Sequence, residues 1–251
     1  KVAGQLFKTT LLKAYLSSPA ACIKSIDERL KKLAKKTDAF AKRDSQQLQD
    51  LGKVLQRITV QNFSRYQGLL TLLKSPDYAW QRQEANDRLV IFTERIETMN
   101  WLADSLRKDL GLTVEQIKTM SGSMTDQEQQ NIVEEFGRSQ AQVRILVASD
   151  VASEGINLHY LCHRMIHFDI PWSLMVFQQR NGRIDRYGQT ERPDIRYMVV
   201  NSNNVKVKGD LRILRILIDK ESEAHDNIGD PADLMKKYTI ENNFIFPCMY
   251  E

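Results

Sequence analysis

Five short β-rich apolar runs, spaced by helical patterns, constrain this chain of 251 residues more than any other feature. They read RLVIFT (88–93), VEQIKTM (114–120), VRILVAS (143–149), RMIHFD (164–169) and IRYMVV (195–200). Between the first two lies a helical pattern over roughly 95–110, closed by Gly111. Thr125-Asp-Gln-Glu128 has capping-box spacing and opens a helix to Phe136, stopped by Gly137. Pro171-Trp172-Ser173 starts a further helix that is expected to run to about Tyr187. Strands alternating with helices in this way give a mostly parallel sheet covered by helices, an α/β fold.

Residues 1–85 read differently, as a helical region. Ser18-Pro19 is a helix start, with serine as N-cap and proline in the first turn. Ile23, Ile26, Leu30 and Leu33 follow at helical spacing, and Leu48, Leu51, Leu55 and Ile58 form a second stripe. The charge sits here too. The chain carries a formal +4, but residues 1–80 hold 15 Lys/Arg against 6 Asp/Glu. An anionic partner on that side is one reading, and a solvated helical face is the other. After the last strand, LRILRILI (211–218) is an apolar periodic helix expected to brace the lobe, and Asp230-Pro231 starts another. The expected division is 1–85, 86–205 and 206–251.

Other classes fall away. Three cysteines (Cys22, Cys162, Cys248) at unrelated spacings make neither a disulfide framework nor a zinc pattern, and a reducing, cytoplasmic setting is expected. No apolar run reaches the ~20 residues of a membrane span, so no membrane partner is expected. The chain does not begin with Met, and we expect it to be part of a longer protein. His159, Cys162, His163 and His167 crowd together, but strand geometry argues for packing roles over a metal site. Trp172 is expected to pack against the sheet.

Ligands bind at the carboxyl ends of strands in such sheets. There the sequence places Thr93-Glu94-Arg95, Ser121-Gly122-Ser123, the segment 149–158 and Asp169. Hydroxyls and exposed backbone N–H groups suit a phosphate backbone, although Thr93 and Thr125 also serve as plain helix caps. QQRNGRIDRYGQ (178–189) is the most pointed stretch. On one helix, Gln179, Arg183 and Arg186 share a face, and Gly182 lets another backbone approach it. Paired arginines suit a phosphoryl group gaining charge in transfer. A salt-bridge cluster with Asp185 and Asp169 is the alternative.

VIFTERIETMNWL, MSGSMTDQEQQNIVEEF, ILVASDVASEGINL and QQRNGRIDRYGQ stand in the order and spacing of motifs IV, IVa, V and VI of superfamily-two helicases. The sequence resembles the second RecA-like lobe of the Swi/Snf-type ATPases over roughly 86–200, with the N-terminal helices resembling the region that joins the two lobes. Asp185 and Ser153-Glu154-Gly155 resemble the bacterial RNA-polymerase-associated recycling ATPase and its bacterial relatives. Asn181 departs from the aliphatic residue usual in motif VI.

The resemblance implies roles for individual residues. Arg183 and Arg186 match arginine fingers that reach ATP on the first lobe. Gln179, Gly155 and Asn157, with Gly182 beside them, match positions near the nucleotide and the cleft between lobes. Thr93, Gly122 and Ser149 match positions on the nucleic-acid backbone. ATP and Mg²⁺ are implied as cofactors, held mainly by the first lobe of the same parent chain. The sequence has no GxxxxGK[ST] phosphate loop and no DEAD-type box, so this piece alone is expected not to hydrolyse ATP. The implied partner is nucleic acid, double-stranded DNA by family expectation, with RNA polymerase or other proteins as further partners. A strand-separating DNA or RNA helicase lobe and a catalytically dead docking module are the alternatives.

Overall fold

The computed structural model describes residues 2–149, 156–201, 209–228 and 244–245. Four helices come first: α1 (Val2–Ser17), α2 (Pro19–Leu33), α3 (Ala39–Leu55) and α4 (Ser64–Lys74). Then follow β1 (Arg88–Thr93), α5 (Ile96–Leu110), β2 (Ile117–Met120), α6 (Asp126–Gly137), β3 (Ile145–Ser149), β4 (Cys162–His167), α7 (Leu174–Asn181), β5 (Asp194–Met198), α8 (Asp210–Ile228) and β6 (Phe244–Ile245). The sheet order is β2-β3-β1-β4-β5-β6, and every pairing is parallel. This is the expected α/β, RecA-like arrangement.

The two-residue period of the strands sorts their side chains to two cores. Leu89, Ile91, Ile145, Val147 and Ile166 face α5, through Met99, Leu102 and Leu106. Val90, Phe92, Leu146, Ala148 and Met165 face Phe136 of α6, Phe177 of α7 and Leu214 and Leu217 of α8. The central strands are buried on both faces, as parallel strands between helical layers must be. α8 is therefore packed on the sheet, as its apolar period suggested. The expected helix at Asp230-Pro231 lies outside the described residues.

The caps follow the sequence. Ser18 accepts from Ala21 N at 3.1 Å with Pro19 beside it, Thr125 and Glu128 form the reciprocal box, and Gly111 takes the left-handed φ of 64°. Other expectations shift. β2 starts three residues late because Thr113 and Gln116 exchange hydrogen bonds at 2.9 and 3.3 Å and close a turn. Thr93 does not cap α5; Arg95 occupies that position without a side-chain cap.

α4, which falls within the expected helical region 1–85, packs onto the sheet core. Tyr66, Leu69, Leu72 and Leu73 of α4, with Tyr78 and Trp80, share the core that β1 and α5 build. Trp101 meets Phe63 and Tyr66 edge-on at 5.5 and 5.0 Å. Only α1–α3 keep a separate core, around Ala14, Cys22, Ile26, Leu48 and Leu55.

Two fully buried arginines fasten the periphery. Arg88 donates to the carbonyls of Glu135, Phe136, Arg138 and Ala141, which neutralises the open end of α6. Arg65 on α4 donates to the Phe168 carbonyl at 3.0 Å and pairs with Asp210 at the start of α8. Asp210 also accepts from Val200 N at 3.3 Å. Removing one member of a buried pair strands the other charge. Asp210→Ala is expected to cost about 3–5 kcal/mol in urea unfolding; a loss under about 1 kcal/mol would show the pair to be dispensable.

Candidate functional site

Because all strands run one way, their carboxyl ends share one edge. β2, β3 and β1 are neighbours there, with Thr93 opposite Ser149 and Met120 opposite Ala148. The three residues matched to the nucleic-acid backbone therefore come together. Their exposure differs. Gly122 is half-buried in the turn after β2, whereas Thr93 and Ser149 are buried. The Thr93 hydroxyl donates to Asp169 Oδ2 at 2.6 Å, and its oxygen accepts from Arg95 N at 3.4 Å. Thr93 is thus a positioning residue in this structure, and the surface of its loop is offered by Glu94 and Arg95.

Asp169 gathers this edge. It accepts from Thr93, from Glu94 N at 2.8 Å and from Ser17 Oγ at 2.5 Å. Ser17 gives its one proton to Asp169, so at 2.7 Å it accepts from Thr98, and Thr98 in turn accepts from Ser18 at 2.7 Å. This buried relay fixes α1 and α2 to the start of α5. The fully buried Arg180 completes the group, with Nη1 donating to the Asp169 carbonyl at 3.1 Å and Nη2 lying 3.7 Å from Oδ1. The salt-bridge alternative thus holds for an arginine that spacing alone did not single out.

His167, also buried, lies beside Arg180. A guanidinium can only donate, so His167 Nδ1 accepts from Arg180 Nη1 at 3.2 Å. Nε2 then carries the proton and donates to Asn181 Oδ1 at 2.9 Å. The ring packs against Phe177 and Tyr197 at 5.8 and 4.8 Å, and those two rings lie 5.5 Å from each other. Burial first, then the Arg180 charge, push its pKa well below the ordinary value. Asn181, the departure from the motif, is the partner that this neutral histidine requires. Among the described residues no His, Cys, Asp and Glu cluster could hold a metal ion.

The expected helix to Tyr187 is corrected: α7 ends at Asn181. Gln179 is half-buried on it, but Arg183 and Arg186 sit on the turn that follows and do not share its face. Gly182 has φ −64°, and a Cβ there would meet only carbonyls of its own helix, Gln178 O at 3.4 Å and Gln179 O at 3.9 Å. Among the described residues no second backbone approaches it. The turn is captured by the segment before β4 instead. Leu158 N donates to the Arg183 carbonyl at 3.2 Å, and Arg183 Nη1 donates to the Ile156 carbonyl at 3.3 Å. Arg186 Nη1 donates to Asn157 Oδ1.

The two arginines consequently differ. Arg183 is only 9% exposed, while Arg186 is exposed at the surface. Gly155 lies outside the described residues. Two further expectations resolve here. Trp172 is half-buried with Lys13 Nζ 5.0 Å from its ring centre, so it meets α1 as well as its own loop. His159 stacks on Tyr160 at 4.3 Å beside Gly188, and burial and then Arg186 lower its pKa.

A parallel α/β lobe with these loops at one edge has the RecA-like arrangement. Residues 65–188 match the helicase conserved C-terminal domain. The uncharacterized ATP-dependent helicase YqhH of Bacillus subtilis (strain 168) is 34% identical over 101 residues, 40% of this chain and 17% of that protein. The RNA polymerase-associated protein RapA of Vibrio campbellii is 25% identical over 114 residues, 45% of this chain and 11% of that one. The probable ATP-dependent RNA helicase DDX43 of Homo sapiens is 30% identical over 103 residues, 41% and 15% of the two chains. The matches thus span under a fifth of each relative.

Among solved structures, the C-terminal part of the Fun30 ATPase domain aligns at 19% identity and TM-score 0.45, over 63% of this chain and 54% of that one. Domain 2 of the DEAD-box helicase Mss116p, bound to an RNA duplex, aligns at 19% identity and TM-score 0.48, over 62% and 56%.

The histidine gives a pH prediction. Its folded pKa is depressed, so its contribution is present above the unfolded value of about 6.5 and is lost as pH falls toward the folded one. Urea unfolding at pH 7.5 and pH 5 should show a loss of stability for wild type that is smaller for His167→Gln. Equal losses in the two proteins would refute the assignment.

Proposed function

We propose that this chain is the C-terminal motor lobe of an ATP-dependent nucleic-acid translocase of the Swi/Snf type, acting on duplex DNA. The observation that carries the reading is the pairing of Arg186 with Asn157, which joins motifs V and VI at an exposed point. Closure of a first lobe onto this face brings its nucleotide to Arg186. ATP supplies the transferable phosphoryl group, and Mg²⁺ would be held with it by the lobe that carries a phosphate loop. This chain contributes positive charge. Arg186 donates to the equatorial phosphoryl oxygens as charge builds. Arg183 keeps the turn in place through Ile156 and reaches the phosphate once closure loosens that bond. Gln179 borders the same cleft. The β1–β3–β2 edge, through Gly122 and the strand ends at Thr93 and Ser149, meets the nucleic-acid backbone.

RapA's association with RNA polymerase suggests polymerase as a partner of the parent protein. A second reading, a strand-separating RNA helicase, draws on DDX43 and on DRS1 of Kluyveromyces lactis, an ATP-dependent RNA helicase 33% identical over 105 residues.

The test uses the chain joined to its first lobe. Duplex DNA should stimulate ATP hydrolysis without displacing a strand, and Arg186→Ala should cut turnover by about 10³-fold. The isolated chain should show no turnover. Strand displacement would favour the helicase reading, and undiminished hydrolysis by Arg186→Ala would leave the lobe as a docking module.

A further inference from the structure

The tip of the α2–α3 hairpin plays no part in the site above, yet it is densely basic. Lys31, Lys32, Lys35, Lys36, Lys42 and Arg43 are all exposed within thirteen residues. None of the six makes an ion pair with another described residue. Of the acids nearby, Asp38 caps α3 by accepting from Ala41 N at 2.8 Å, Asp44 lies 4.0 Å from Arg29 and Glu28 lies 3.9 Å from Lys24, while Asp27 is exposed one turn before Lys31. In the middle of these cations stands Phe40, 81% exposed. Neither feature serves folding. The hairpin's own core is built from Ile26, Leu33, Ala41, Leu48 and Leu55, on the opposite sides of the same helices.

Like charges this close repel each other unless a polyanion is brought to them, and a bare aromatic ring among them is a surface on which a base stacks. An acidic peptide would satisfy the lysines and leave the ring unused. The position suits a strand as well. α2 begins at Ser18, which the buried relay ties to the strand edge, and its fifteen residues carry the tip roughly 20 Å away from there.

We propose that this tip is a second nucleic-acid contact, in which the lysines and Arg43 meet phosphates and Phe40 stacks on an unpaired base. The contact needs neither nucleotide nor Arg186. Its failure would leave the motor reading untouched, and the failure of that reading would leave the contact untouched.

The test measures fluorescence anisotropy of labelled oligothymidine and of a blunt duplex of equal length, titrated with the whole chain at several salt concentrations. The variant Lys31→Gln/Lys32→Gln/Lys35→Gln/Lys36→Gln should bind oligothymidine at least about tenfold more weakly and lower the salt slope by about 2 to 3, from ~0.7 per phosphate contact. Phe40→Ser should weaken oligothymidine roughly tenfold, leave the salt slope unchanged and spare the duplex. Since all five side chains are exposed, thermal melting should match wild type for both variants. Wild-type affinity and slope in the lysine variant, or no binding of either nucleic acid by the chain, would overturn the proposal. Equal losses on duplex and single strand with Phe40→Ser would overturn the stacking contact.

Discussion

The carboxylate of Asp169 is the point at which this structure is tied together. It is nearly fully buried, so its charge must be answered by donors, and they come from four directions. Ser17 brings α1, Thr93 brings β1, Glu94 N brings the entry to α5, and Arg180 brings α7. A helical extension distant in sequence is thereby held to the strand edge by a few hydroxyls. Arg180 carries the tie onward to His167, and His167 to Asn181. The turn that presents Arg186 thus starts from a residue whose own side chain is already committed to the sheet.

Much of the fold could be read from the residues. Every strand from Arg88 to Met198 arises in a β-rich run, and Ser18, Gly111 and Thr125 punctuate the helices as their chemistry dictates. Two of the misplacements share one cause. Nothing local stops a helix at Asn181; the carbonyl of Arg183 and the guanidinium of Arg186 are taken by residues 157–158, which the sequence separates from them by about twenty-five positions. Likewise α4 packs onto the sheet core because Tyr66 and Leu69 find it, not because of any local signal before residue 86. A two-residue strand such as β6 is too short to have a period at all.

The placement of the candidate residues was legible in outline. The order of the motifs placed Thr93, Gly122 and Ser149 on adjacent strand ends, which the parallel topology joins. What spacing could not do was rank the arginines of QQRNGRIDRYGQ. Arg180, Arg183 and Arg186 look alike in sequence, yet one is buried against Asp169, one is clasped to Ile156 and one is exposed. The unusual Asn181 was the signal that pointed here. It made sense only once His167 was seen to require an acceptor.

The bond from Arg186 to Asn157 has a thermodynamic side. Any anion that takes the same guanidinium nitrogen competes with the Asn157 side chain. Linkage is reciprocal, so whatever factor the internal pairing subtracts from anion affinity, a bound anion subtracts from the pairing. Occupancy at Arg186 is therefore registered in the segment leading into β4 without a change in fold, and the sensitivity of that report is set by a single uncharged amide.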